Sequence, residues 1–436
     1  MNPLKYLLML SLILAAFCPA SLQAQSLEQA IKIALDQNKE LKAQKQALRK
    51  RQLEARAAFR QTLPSLDFGA WYRHVTHVAQ IDFPALPTLP ALPSAVRLGR
   101  YDTYETSLTI KHVLFSGFAQ KNRVRLMSQM SELEHINLEE KEKEIAFRVI
   151  AAYRNAQEKQ LEIEVIKASM ERVAWQMKRI KSLIKQGMAL GLDSLSLKLA
   201  RLNYHKQLIA AQGALAIAEK QLKELTGQKI TIQSFNEPPE VGLNVMPVVQ
   251  LTGPYRLLDQ QQQMQSTAVK ISRARYFPAL AAFASYNYGR PGLDMIKGEW
   301  MDYGIWGVSL SWNLFSWNAD RLNEQAARAR FKQLDWQKQA VKDQLQTRFD
   351  RALREWQTLK EQQDVVQAAL KVARQKMKVV AARYAQGMAS VTDFNEANLQ
   401  LTEAQLNVKR HALLMTLKRS EIDYLSGKPL TQWSIP

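Results

Sequence analysis

Twelve positions from Ile145 to Ile184, taken in alternating strides of four and three, are Ile145, Val149, Ala152, Ala156, Lys159, Ile163, Ile166, Met170, Val173, Met177, Ile180 and Ile184, and eleven of them are apolar. The same strides from Leu345 meet Phe349, Ala352, Trp356, Leu359, Gln363, Val366, Leu370, Ala373, Met377, Val380 and Tyr384, again with eleven apolar or aromatic positions. A period of 3.5 sustained over that length keeps one seam against a neighbour and predicts supercoiled helices. Between about 117 and 186 the chain has no Pro and, after Phe118, no Gly until Gly187, so the first such helix would be on the order of 100 Å long. A helix of that length must pack lengthwise against partners.

Elsewhere the period changes to two. Leu66, Phe68, Ala70 and Tyr72 share one face of 66–72, and Leu108 and Ile110 alternate with Ser107, Thr109 and Lys111 within 105–114. In 305–314, Trp306, Val308, Leu310, Trp312 and Leu314 alternate with Gly307, Ser309, Ser311 and Asn313. One face suits hydrocarbon and the other water, the dyad expected of a transmembrane barrel strand. No apolar run in the mature chain reaches the roughly 20 residues of a spanning helix, so a membrane crossing would need strands in a closed barrel. Four strands cannot close one, because the smallest bacterial barrels have about eight. The pattern therefore predicts an oligomer. A loop with Pro84, Pro87, Pro90 and Pro93 separates the first strand pair, and a Gly- and aromatic-rich loop within 288–303 separates the second.

These elements occur twice at an offset of 200 residues. Leu114-Phe115-Ser116 recurs as Leu314-Phe315-Ser316, Gln186-Gly187-Met188-Ala189 as Gln386-Gly387-Met388-Ala389, Asp193 as Asp393, and Leu225-Thr226-Gly227 as Leu425-Ser426-Gly427. Gly187 and Gly387 end long helices in the usual place just past a helix C-terminus. Asp193 and Asp393 then stand at the positive ends of returning helices. A capping box at Ser26 and Gln29 opens a helix over 27–61, and Pro254 opens a matching helix to about 276. The predicted layout is residues 25–228 as a first repeat, 229–247 as a linker, 248–428 as a second repeat and 429–436 as a tail.

Lys5, the apolar run Leu7–Cys18 and the small residue Ala24 give residues 1–24 the form of a secretory signal peptide. Its removal would take away the single cysteine. The chain carries a net charge of +20, but acidic and basic residues interleave, as in Glu139-Glu140-Lys141-Glu142-Lys143-Glu144, which suits solvated helix faces better than a nucleic-acid surface. No phosphate-binding loop, nucleophilic constellation or metal-ligand spacing is visible among the six histidines. The expectation is therefore no enzyme, no cofactor and no resident metal. His74 and His77, three apart in a loop, do not make a metal site by themselves.

The order signal peptide, helix, X-Pro, strand pair, Leu-Phe-Ser, long helix, Gln-Gly-Met-Ala turn and return helix, repeated twice, resembles the TolC family of outer-membrane efflux proteins over essentially the whole mature chain. The resemblance implies a mainly α fold with a transmembrane β-barrel, internally duplicated into two strand pairs and two coiled-coil hairpins. A homotrimer would form a twelve-stranded barrel in outer-membrane lipid and a twelve-helix periplasmic tunnel. It implies an exit duct served by a periplasmic adaptor and an inner-membrane transporter. By the same resemblance Asp393 and Glu396 stand where the family has pore-ringing carboxylates. Tyr384 and Asp193 match a tyrosine–aspartate latch of the closed entrance, while Ala389 stands where an arginine can strengthen it. Gly187-Met188 and Gly387-Met388 match the tips that adaptors grip. The competing reading is a periplasmic coiled-coil adaptor or scaffold.

Overall fold

The computed structural model describes residues 25–82, 95–186, 191–236 and 248–433. The expected signal peptide, the four prolines from Pro84 to Pro93 and the first-tip residues Gly187 and Met188 lie outside the described residues. Helices α1 (Leu27–Gln37) and α2 (Lys39–Arg60) lead into β1 (Ser65–His74), a short ribbon of β2 (Gln80–Asp82) and β3 (Ala95–Arg97), and β4 (Asp102–Ser116). The long helix α3 (Ala119–Lys185) and its return α4 (Gly191–Thr226) complete the first half. The second half repeats the order with α5 (Gly253–Arg273), β5 (Ala279–Arg290), β6 (Met301–Ser311), α6 (Ala319–Ala385) and α7 (Val391–Leu425). Both long helices have 67 residues, so the duplication read from the sequence holds at the level of elements.

The chain divides into two compact units, one of residues 47–135 and 257–339, the other of 25–46, 136–256 and 340–433 within the described range. In the first, a four-stranded antiparallel sheet has the order β1-β4-β5-β6. Opposed residues in such a ladder project to one face. One row reads Leu66, Ile110, Ala284 and Trp306, and the next Phe68, Leu108, Tyr286 and Gly304. The opposite face carries Asp67, Thr109, Ser285 and Ile305, then Gly69, Ser107, Asn287 and Tyr303. The greasy residues of the separate strand patterns thus fall on a single face. The strands have 10, 15, 12 and 11 residues, enough for the roughly 9–11 that cross a bilayer.

In the second unit, parts of α3, α4, α6 and α7 pack along the predicted seam. Ile145, Val149, Ala156, Ile163, Ile166, Val173 and Ile180 of α3 are buried, as are Leu345, Phe349, Ala352, Leu370, Met377 and Tyr384 of α6. The remaining seam positions are half-buried, including Lys159, whose ammonium stays paired with Glu158 and Glu162 at 3.2 and 3.3 Å. A second cluster joins α1 to α3 and α4 through Leu27, Ile31, Ala34, Val149 and Leu222. There the Tyr153 hydroxyl donates to the Gln25 carbonyl at 2.7 Å and accepts from the Gln233 amide at 2.9 Å.

Three details differ from the sequence reading. The helix expected over 27–61 is broken at Asn38, whose Oδ1 accepts from the Glu40 and Leu41 amides while its Nδ2 donates to the Leu225 carbonyl. Asn38 thereby caps α2 and ties the break to the end of α4. The strand expected over 305–314 ends at Ser311, because its partner β5 begins at Ala279 after Pro278, which has no N–H to donate. The Trp312 indole instead donates to the Tyr276 carbonyl at 3.2 Å. The first inter-strand connection, read from the sequence only as a Pro-rich loop, contains the β2–β3 ribbon.

Phe349 is 2% exposed in the seam, and Phe349→Ala should cost about 3–5 kcal/mol. Thermal melting of the helical circular dichroism should show it as a clearly lowered midpoint, and an unchanged midpoint would show that the seam does not hold this region.

Candidate functional site

The second hairpin tip is built from two opposed helix ends. At the end of α6, Gly387 adopts φ +73°, a left-handed conformation that costs a side-chain-bearing residue. The Met388 amide then bonds the Arg383 carbonyl at 2.9 Å and the Gly387 amide the Tyr384 carbonyl at 3.2 Å, the paired closure of a Schellman motif. Met388 is left two-thirds exposed at the turn, at 66%. At the start of α7, the Ser390 hydroxyl accepts from the Asp393 amide at 3.1 Å, while Asp393 Oδ2 accepts from the Ser390 amide and hydroxyl, both at 2.8 Å. This reciprocal capping box fixes where the return helix begins.

Asp393, Glu396, Tyr384 and Asp193 each have a defined place. Asp393 is exposed, and the Ser390 amide, the Ser390 hydroxyl and Lys376 hold its carboxyl below the usual range. Glu396, also exposed, pairs with Lys376 at 3.4 Å and accepts from Gln400 at 2.9 Å. Tyr384 is buried against Phe394, with ring centroids 5.7 Å apart. Burial pushes its phenol up to about 12, and the Asp193 carboxylate adds to the rise. The Gln176 amide works against it, yet among the described residues no hydrogen bond of good geometry reaches the buried Tyr384 hydroxyl. Asp193 lies half-buried in the first turn of α4. The fold thus brings Tyr384 and Asp193 into electrostatic contact across the two hairpins without a hydrogen bond between them. Gly187 and Met188 lie outside the described residues.

Two arrangements were missed in the sequence. Arg179 of α3 donates to the Ala385 carbonyl at 3.2 Å, placing a cation on the negative end of α6. It supplies an arginine to the tip region from another helix, although position 389 has alanine. Deeper in the hairpins, Arg172 donates to Asn398 at 2.6 Å and Ser169 at 2.8 Å, Ser169 bonds Thr402 at 2.6 Å, and Asn398 donates to Tyr204 at 3.2 Å. Ser169 and Asn398 are fully buried, and burial lowers the pKa of Arg172 and raises that of Tyr204. The Ser169/Arg172 and Asn398/Thr402 spacings are helical, but nothing local reveals that α3, α4 and α7 meet there.

Other candidates have ordinary roles. His74 bonds Asp102 at 2.8 Å and His77 bonds Thr76 at 3.2 Å. Among the described residues no helix is long and apolar enough to cross a membrane.

Duplicated coiled-coil hairpins attached to an amphipathic antiparallel sheet define the channel class of outer-membrane protein. The model of the outer membrane efflux protein family matches residues 30–228 and 258–427, and the chain belongs to that family. Among solved structures, the CusC channel superposes with a TM-score of 0.77 at 14% identity, covering 93% of this chain and 92% of that one. The Campylobacter jejuni CmeC outer membrane channel gives 0.76 at 15% identity, with 93% and 86% covered. The outer membrane protein VceC of Vibrio cholerae gives 0.73 at 17% identity, with 92% and 96% covered. At these identities the likeness concerns the fold. No curated protein sequence is similar enough to count as a match. Outer-membrane efflux is thus the setting of this chain.

Because its folded pKa is depressed, Asp393 stabilises the tip above the ordinary carboxylate range, and that contribution is lost as pH falls through its lowered value. Asp393→Asn should therefore flatten the acid side of the tip's stability profile, read by amide hydrogen exchange of residues 391–396. An acid limb identical to wild type would show that the capping carboxylate is not titrating there.

Proposed function

We propose that three copies of this chain form the exit duct of a tripartite efflux or type I secretion system, accepting cargo from a periplasmic adaptor and an inner-membrane transporter. The observation that carries the reading is the sheet. β1 and β6 are its edges, each pairing with one neighbour in the chain, while one face is fit for hydrocarbon. Open sheet edges do not survive in lipid, so β1 of one copy pairs with β6 of the next. Three copies supply twelve strands, an even number within the bacterial range. The same copies bring six hairpins, and their tips form the periplasmic entrance.

At that entrance Asp393 and Glu396 act as the constriction. In one chain the Asp393 carboxyl is held low by its cap, whereas three copies crowded around an axis would push the carboxylates upward. That ring favours cations. Tyr384 and Asp193 hold the two hairpins together at the tip, and Arg179 locks α6 to α3. Gly187-Met188 and Gly387-Met388 present flexible apolar contacts to an adaptor, a use to which Met is suited. The duct performs no chemistry of its own.

The detergent-solubilised particle should have three times the chain mass, and a monomer or dimer would end this reading. In planar bilayers, Asp393→Ala combined with Glu396→Ala should reduce cation selectivity. Tyr384→Phe should raise the open probability of the entrance, whereas recordings indistinguishable from wild type would leave Tyr384 a seam residue only.

A further inference from the structure

The sheet's greasy face changes character towards its loop end. Beyond the apolar rows come Ala70, Thr106, Tyr288 and Asp302, then Tyr72, Tyr104 and Arg290, then His74 and Asp102. Tyr72 and Tyr104 lie 5.1 Å apart, Tyr104 and Trp300 6.0 Å, and Trp300 stacks on Tyr288 at 5.2 Å. All four rings are exposed, making a band of the kind that marks a membrane–water interface. A cleft of about 760 Å³ opens directly beyond this band, and its lining includes Arg97, Arg100, Arg290, Asp102 and Tyr104.

The arginines are arranged by their own backbone surroundings. Arg290 Nε donates to the Gly298 carbonyl at 2.9 Å and Arg100 Nη2 to the neighbouring Lys297 carbonyl at 3.3 Å. Gly298, at φ +61°, has the Arg100 guanidinium where a side chain would stand. Arg97 lies 5.8 Å from the Tyr101 ring. None of the three makes an ion pair among the described residues, and the carboxylate in the cleft, Asp102, is engaged by Tyr72 at 2.7 Å and His74 at 2.8 Å. A guanidinium has five N–H donors, so most remain available. Converging guanidinium groups match phosphate oxygens in geometry as well as charge.

We propose that Arg97, Arg100 and Arg290 form a binding site for the phosphorylated headgroup of an outer-leaflet lipid. The cleft is bordered by Tyr104, Arg290 and Asp102 of the hydrocarbon-facing rows, so the site begins level with the outer row of the aromatic band and extends past it, which is the depth of lipid phosphates. The assignment to the outer leaflet rests on the duct reading, in which the strand ends remote from the helices carry the longer, external loops. Arg100 and Arg290 also border a second cleft with Trp71, Thr103 and Glu105 of the opposite face, and the inorganic phosphate arm below tests whether a free anion is the ligand there. The aromatic band holds the acyl and sugar region, and the arginines hold the phosphate.

The test titrates the purified oligomer in detergent with diphosphorylated lipid A, counting bound lipid by native mass spectrometry. Parallel arms use the same lipid after phosphatase treatment and inorganic phosphate alone. Each of Arg97→Gln, Arg100→Gln and Arg290→Gln should weaken binding about fivefold, and the triple variant on the order of a hundredfold. The triple Arg→Lys variant should recover part of the loss, which a folding defect would not. Unchanged affinity in the triple Gln variant would overturn the site, and equal binding of the dephosphorylated lipid would overturn phosphate as the recognised group. Displacement by inorganic phosphate as strong as by the lipid would overturn the lipid assignment in favour of a free anion. Oligomer mass and conductance of the wild type test the duct reading separately, because lipid binding in detergent does not depend on conduction.

Discussion

Backbone hydrogen bonding in hydrocarbon is the constraint on which the rest of this structure depends. Each strand within the sheet satisfies its neighbours, but β1 and β6 offer one row of N–H and C=O groups apiece to a partner outside the chain. In water such edges would be tolerable. In a bilayer each unpaired group costs several kcal/mol, so the proposed closing of the sheet through other copies would outweigh any other term. The long helices follow the same logic at lower cost. Their seam is narrow and continuous, and a narrow seam buries enough apolar surface only when several helices lie side by side.

The tip shows how two ordinary devices of helix termination build the surface proposed to act as the entrance. A left-handed Gly387 ends α6 and the Ser390–Asp393 box starts α7, so the turn is short and its geometry is fixed. Between them Met388 has nowhere to go but outward. Behind the turn, Tyr384 and Phe394 fill the space between the helices, and Asp193 brings charge from the other hairpin. The buried Arg172–Ser169–Thr402–Asn398 cluster lies deeper along the same helices. Polar groups buried in this way tolerate little displacement, because each is costly without its partner. They fix the longitudinal register that a purely apolar seam would leave free to slip.

Charge on this chain is likewise used locally. The overall excess of basic residues gave no indication of where a charge would matter. Beside the aromatic band of the sheet, three arginines border one cleft, while the remaining described cations seen in ion pairs mostly bind helix carboxylates such as Glu40, Glu158 and Glu324. The composition is the same in either case, and only the placement distinguishes a solvated face from a ligand site.

The sequence by itself determined the elements and their duplication. Helical and strand periods are local properties: Ile145 to Ile184 and Trp306 to Leu310 announce their faces through neighbours a few residues away. Gly387 and Ser390 announce a turn for the same reason, since backbone sterics and capping act within one helical turn. The tertiary structure decided what those faces meet. Arg179 reaches Ala385, and Arg172 reaches Asn398, across more than 200 residues of chain, and no local pattern encodes such a pairing. The register of β4 on β5 set Tyr104 level with Arg290, turning an arginine at a strand end into part of a cluster. The break at Asn38 and the stop at Ser311 were hidden likewise, because each depends on a partner, Leu225 or Pro278, whose position only folding supplies.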